Sequence, residues 1–582
     1  MHRVLLFAIV ICLLFTACSA ARTQTPAAQP PRATLTGPTP ALDISSPAPP
    51  SPGTAAGSSA SESFAGLRLP VERGELFNGS GTCAVCHTNM KDEAGVDVSN
   101  DTLWRSTLLA NAARDPYWQA TVRSEVEQAP QLQAEIQEKC ATCHMPMAKI
   151  TAVQQGSAPL VLDDGFLAAQ HPLQSLALDG VSCTVCHQQE PDNFGRPESF
   201  SGAFQIDLSQ PAGERRAYGP YPVDSQQASI MKSASGFVPV ESEHTGQAEM
   251  CAACHNLYTP FLDEQGQIAG LFPEQMIYSE WVNSAYRETH SCQQCHMPLA
   301  KGGVQISITG GPKRSPFYQH VFVGGNAFMG RIFQMNAQAL QTTASTEQFE
   351  ATINSAIHQI ETQTADLALE NVSLQDGRLS AGIVVQSKVG HKLPAGFPSR
   401  RAWLHITILD RDGQAVFESG AFRPDGMILG NENDEAESTF EPHYNLISTP
   451  DQVQIYEAIL QDSAGKVTTT LLRAAQYAKD NRLLPAGFDL ENANADIAIY
   501  GQATQDADFQ AGGDRVALGV DLSQAQGPFT LQVELLYQSI GFRWAESIRI
   551  QSTTEAQAFA GYYASVPNLP LVAARVETQV EP

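Results

Sequence analysis

The chain has 582 residues and a formal net charge of −26, from 35 Lys and Arg against 61 Asp and Glu. That balance disfavours nucleic acid as a partner, argues against a polybasic membrane surface, and suits a partner with a basic docking face. Beyond the first twenty residues no stretch is apolar enough to span a bilayer.

The chain starts with His2 and Arg3, continues in an apolar run from Val4 to Phe15, and then reads Thr16-Ala17-Cys18-Ser19. An apolar run of about a dozen residues is too short to cross a membrane and reads as the core of a signal peptide. Small residues leading to a cysteine are similar to a bacterial lipobox. Residues 1–17 are therefore expected to be removed, with Cys18 becoming the lipidated first residue. Ordinary secretory cleavage a residue or two later is the alternative. Residues 18–65 are dominated by Pro, Ala, Ser, Thr and Gly and read as a disordered tether. The expectation is an exported lipoprotein, periplasmic or at the cell surface, anchored to a membrane by its lipid.

Twelve cysteines are present, and all but Cys12 and Cys18 fall in five C-x-x-C-H motifs. These are Cys83, Cys86 and His87; Cys140, Cys143 and His144; Cys183, Cys186 and His187; Cys251, Cys254 and His255; and Cys292, Cys295 and His296. In this pattern two thiols form thioether bonds to haem vinyl groups, and one tight turn brings the adjacent imidazole to the iron. C-x-x-C also serves zinc knuckles and thioredoxin-like sites, but here every pair is followed by His and none is left over. The reading is five covalently bound haem c groups in a domain spanning residues 66–340. The two shortest intervals suggest that the second haem pairs with the third and the fourth with the fifth. Helices are predicted over Thr102–Arg114, stopped by Asp115-Pro116, and over Glu274–Arg287.

Each haem needs a sixth ligand or a vacancy. Eight further histidines follow the tether: His171, His244, His290, His320, His358, His391, His405 and His443. His171, His244 and His290 lie shortly before motifs, and His320 sits in a Gly-rich loop, so these four are distal candidates. His443, in a loop after Pro442, is held in reserve, and His391 sits at a turn between two strands. His358 flanks the apolar stripe of a helix, and His405 reads as an ordinary half-buried strand residue. Met250, Met276 and Met329 are more simply core side chains.

After Gln334 the pattern changes. A connecting helix (residues 341–371) is expected, with Ser345–Leu369 amphipathic throughout. A β-rich domain over 372–565 follows, with strands at Gly382–Lys388, Ala402–Leu409, Gln414–Glu418, Val453–Ile459, Val467–Leu472, Arg515–Leu522 and Phe529–Tyr537. Residues 566–582 read as a tail. The fold class is α+β: a mostly helical or irregular haem-wrapping part, then an antiparallel sandwich-like part. Asp506, Asp508 and Asp514 cluster in one loop as a possible Ca²⁺ site, with turn-forming Asp as the plainer alternative.

The segments Asp179–His187, Tyr278–Trp281 and Ser291–Pro298 resemble the multihaem c-type cytochromes of the nitrifier tetrahaem cytochrome and hydroxylamine-oxidoreductase-like group. Gly390–Asp410, Gln452–Leu460 and Lys479–Asp489 look like the β-rich part of large multihaem cytochromes. In such proteins the His of a GHKLP-like segment looks like a distal haem ligand, which the resemblance maps onto His391. The Lys-ligated C-x-x-C-K motif of pentahaem nitrite reductases is absent. The function expected is electron relay between redox partners outside the cytoplasm, with no catalytic residue named. The alternatives are a haem enzyme with one open iron acting on a small nitrogen or oxygen species, and a subunit of an extracellular cytochrome filament.

Overall fold

The computed structural model describes residues 64–581. Residues 1–17, read above as a signal peptide, the expected lipidation site Cys18 and nearly all of the expected tether (18–65) lie outside the described residues. The fold is α+β, as expected: short helices and loops carry the motifs, and two sheets follow. The described residues form one compact unit, so the motif-rich and β-rich parts pack together.

Every motif sits on a helical turn. Four lie on Gln133–His144, Cys183–Cys186, Ala248–His255 and Cys292–His296, with the motif His at or just beyond the C-terminal end, while the first begins in Ser80–Ala84 and places Cys86 and His87 in the turn that follows. Met145 breaks the second helix, and Pro146 opens the next one as its first residue, where a missing N–H costs nothing.

Two predicted helices are shorter than their periodicity suggested. Only Asn100–Trp104 is helical in the first. Its continuation is a run of turns in which Thr107 Oγ1 donates to Trp104 O and Asn111 Nδ2 donates to the carbonyls of Arg105 and Thr107. Side chains that bond nearby backbone compete with the helical ladder. Asp115 is the N-cap of the next helix, Pro116–Gln128, accepting from the N–H groups of Tyr117 and Trp118. The second predicted helix begins in a strand: Glu274 and Gln275 end Ile268–Gln275, which pairs antiparallel with Leu257–Leu262, only Ile277–Val282 is helical, and the rest is turns.

The connecting helix runs from Thr346 to Gln363, opened by a capping box between Ser345 and Gln348. It ends before Leu367 and Leu369, which belong to a strand, Ala365–Gln375. Asp376 (φ 50°) and Gly377 (φ 76°) turn that strand back into Arg378–Ser387, a left-handed pair suited to a two-residue hairpin loop. Both strands join Gly513–Asp521 and Leu446–Ile447 in a four-stranded sheet.

The second sheet has seven strands. Arg401–Leu409 pairs along its length with Phe529–Gln538, and the sheet continues through Ile455–Gln461 on one side. On the other side lies Leu571–Val580, so the expected tail (566–582) contributes an edge strand. Its side chains alternate in burial, and that short-range pattern is weaker than the pairing a neighbouring edge offers it. Leu379, Ala381, Ile383 and Val385 from the first sheet meet Leu404, Ile406, Ile408, Leu531, Val533 and Leu535 from the second, forming a shared sandwich core.

His405 lies on the outer face of that sheet between Glu534 (Nδ1, 3.1 Å) and Glu418 (Nε2, 3.0 Å). Burial opposes charge on the ring, but the two carboxylates outweigh it and raise the pKa to about 9. This imidazolium therefore stabilises the fold fully below pH 6.5, its unfolded value, and the contribution fades as pH rises through about 9. Denaturation midpoints of the wild type and His405→Gln should converge across that window. A constant difference from pH 6 to pH 10 would contradict the ion pairing.

Candidate haem sites

Four of the five motif histidines are clamped by a backbone carbonyl that belongs to a distant segment. Nδ1 of His87 bonds Ile306 O (2.7 Å), that of His144 bonds Ala112 O (3.1 Å), that of His187 bonds Tyr218 O (2.5 Å) and that of His296 bonds Val323 O (2.6 Å). A carbonyl only accepts, so the proton sits on Nδ1 and the Nε2 lone pair is left free for a metal. Burial lowers the pKa of His87 and His187 and takes those of His144 and His255 to about 4, keeping the rings neutral. Trp118 stacks on the His144 ring at 4.4 Å with planes 6° apart, which fixes that ring's orientation.

Two other histidines face motif rings across a gap. The His391 and His296 centroids are 6.3 Å apart with planes 13° from parallel. His320 and His187 stand at 6.4 Å and 20°. Metal–nitrogen bonds of about 2 Å on each side, with ring centres ~1.1 Å further back, put the centroids of a bis-imidazole metal site roughly 6.3 Å apart. Both pairs meet that dimension. The Nδ1 of His391 donates to Lys392 O (3.0 Å), again leaving Nε2 free. His320 is half-buried beside His187 and His87, and its pKa falls to about 3, with desolvation the larger cause.

The remaining candidates are placed differently. His244 is 4 % exposed, has Nδ1 against Ser242 Oγ (2.6 Å), and its buried Nε2 has no protein partner. An orphaned ring nitrogen of this kind fits a haem iron. His290 has an open ring with Nδ1 on Thr289 Oγ1 (2.9 Å). His171 accepts the Leu173 N–H at Nδ1 (3.1 Å), which puts the neutral ring's proton on Nε2, so ligation there would require giving up that bond.

His443, the reserve candidate, is a correction. Gln454 and Asn481 each use their amide oxygen on a backbone N–H, of Tyr444 and Glu457, and so turn their NH₂ groups to His443 Nδ1 (2.8 and 3.0 Å). Nδ1 is therefore an acceptor, and Nε2–H donates to Asp506 Oδ2 (2.9 Å). No lone pair remains for a metal. The possible Ca²⁺ loop does not assemble either. Asp506 and Asp514 converge on this histidine, while Asp508 is exposed. A nitrogen donor in the middle of the cluster suits Ca²⁺, an oxygen-seeking ion, poorly.

Motifs meet in an order that chain spacing does not predict. The Cys83 thiol contacts Cys183, Cys143 contacts Cys254, and Cys251 contacts Cys292. The first motif therefore adjoins the third, and the fourth adjoins both the second and the fifth. The expected neighbour of the fifth is found; the expected pairing of second with third is not among these contacts. Gly202 explains one junction: its N–H donates to Ala253 O (2.6 Å) in the fourth motif, and the position a Cβ would take lies 3.3 Å from Cys143 Sγ. Gln293 of the fifth motif ties to Gln247 O (2.8 Å), ahead of the fourth. The carbonyl clamps, the Gly202 bridge and the buried charges beside His391 were invisible in the sequence, because none has a local signature.

No family model and no curated protein matches the chain. Among solved structures it is similar to a penta-heme cytochrome c552 from Thermochromatium tepidum, at 15% identity over 88% of this chain and 100% of that one, with a TM-score of 0.46. A likeness that distant decides nothing, and the functional reading rests on the residues themselves.

Proposed function

We propose that this chain is a pentahaem c-type cytochrome that relays electrons between redox partners outside the cytoplasm, tethered through a lipid on Cys18. The observation that carries it is the pair of imidazole sandwiches, His296 with His391 and His187 with His320, at the spacing of a six-coordinate iron. The ten motif cysteines would hold the macrocycles through thioethers, and the five motif histidines would supply proximal nitrogens. His320 and His391 are the distal ligands assigned to the third and fifth haems, with His244 a further one through its orphaned Nε2. The haems supply one-electron redox chemistry. An iron with both axial positions filled has none left for substrate, which favours relay over catalysis. Motifs that touch through their cysteines would hold neighbouring macrocycles near one another, as a relay requires.

The test is the holoprotein's iron content and ferric spectrum. Five irons per chain with predominantly low-spin spectra are expected, and a substantial high-spin fraction that binds carbon monoxide in the wild type would overturn the relay reading. Incorporation of a labelled fatty acid, lost in Cys18→Ser, tests the tether.

A further inference from the structure

Beside the His296–His391 pair lies a closed set of four buried charges. Lys392 and Glu280 are fully buried, Asp480 is 1 % exposed and Arg482 is 6 % exposed. Lys392 Nζ donates to Asp480 Oδ2 (2.7 Å) and Ala498 O (2.9 Å), while its backbone N–H donates to Glu280 Oε2 (3.1 Å). Arg482 grips Asp480 through Nε and a terminal nitrogen, both at 2.8 Å, and reaches Glu280 Oε1 at 3.0 Å. Two cations thus face two anions with no net charge. The last polar group of Lys392, its carbonyl, accepts from His391 Nδ1.

We propose that this quartet is a positioning device for the fifth haem, with Lys392 as the residue through which it acts on His391. The proposal rests on the reading that His391 and His296 share an iron. Its physical basis is the cost of burial: an ammonium at zero exposure tolerates only the place where its partners meet it. Those partners come from two parts of the chain. Glu280 stands on the helix Ile277–Val282, next to the fifth motif, whereas Asp480 and Arg482 stand at the end of the strand Gln476–Asp480 and just beyond. Reciprocal backbone bonds between Leu393 and Leu483 (2.8 and 2.9 Å) pin the same loop, and Gly390 packs against Trp281 and Tyr286. The Lys392 ammonium therefore registers the β-rich part against the motif-rich part, and its carbonyl passes that register to the imidazole. Buried ion networks often contribute specificity of arrangement more than stability. Here the arrangement specified is a ligand set.

The quartet also places charges of both signs beside one iron. Removing a negative charge there disfavours the ferric state and moves that haem's potential upward; removing a positive charge moves it downward.

Two variants of the full-length holoprotein separate these roles. Lys392→Met removes the ammonium, and one haem of the five is expected to gain a high-spin ferric signal and carbon monoxide binding. Glu280→Gln keeps an acceptor for the Lys392 N–H, and is expected to stay low-spin while one haem's potential rises. Electron paramagnetic resonance and a spectroelectrochemical titration read both. Five low-spin haems with wild-type potentials in Lys392→Met would overturn the proposal. If that variant yields no holoprotein, an unshifted Glu280→Gln titration overturns it instead. His391→Ala with unchanged spectra would mean that His391 is no ligand, a failure of the underlying reading rather than of the clamp.

Discussion

If His320 and His187 share an iron as proposed, substituting His320 by Ala is expected to remove that iron's distal ligand and convert roughly one fifth of the ferric haem from low-spin to high-spin. The ring of His320 stands 6.4 Å from that of His187, with Nδ1 of His187 held by Tyr218 O, so no other side chain in that pair can take its place. The variant should also bind carbon monoxide at one iron, and its third-haem potential should change, since a bis-His iron exchanges one nitrogen for water or nothing. His358→Ala is the control: that ring is exposed on the connecting helix and should leave every haem unaltered. Unchanged low-spin spectra in His320→Ala would remove this histidine from the coordination sphere.

The largest stability effect is expected at Arg401. Its guanidinium makes a bidentate pair with Asp434 (2.8 and 2.9 Å), with Nε on Gln538 Oε1 (2.8 Å) and one terminal nitrogen on Gly426 O (2.8 Å). Arg401 is 4 % exposed and Asp434 2 % exposed. Arg401→Met leaves an uncompensated carboxylate beneath the sheet, and a loss of about 3–5 kcal/mol is expected in denaturant unfolding. The double variant Arg401→Met with Asp434→Leu should recover much of that loss, because no orphaned charge remains. A single-variant loss under ~1 kcal/mol would show that Asp434 finds water or another donor.

Some of this protein is legible one residue at a time. A thiol pair and an imidazole on one turn are a local chemical unit, so the motifs could be read at sight. The strands of the sandwich showed for a similar reason, since alternation along Arg378–Ser387 and Arg401–Leu409 follows from the side-chain period of two. Helix ends were less legible. The stripe through Leu367 and Leu369 fits a helix as well as a strand, and the choice was made by the hairpin at Asp376-Gly377, which offers the segment a partner edge. Residues 571–580 looked like a tail until Phe529–Gln538 supplied an unpaired edge.

Histidine roles show the limit most clearly. His391, His405 and His443 are the same side chain in similar strand-and-loop contexts, yet one faces a motif imidazole, one bridges two carboxylates as a cation, and one has both nitrogens occupied by amides and Asp506. Proton position on an imidazole depends on what sits at each nitrogen, and at His405 and His443 those neighbours arrive from 11 to 129 residues away.

The sequence by itself determined the five C-x-x-C-H units, because covalent attachment chemistry needs only neighbours along the chain. Only the tertiary structure decided which motifs adjoin, which histidines face them, and that Lys392 locks His391 between two parts of the chain. Contacts of that kind are set by packing across long separations, and no local spacing encodes them.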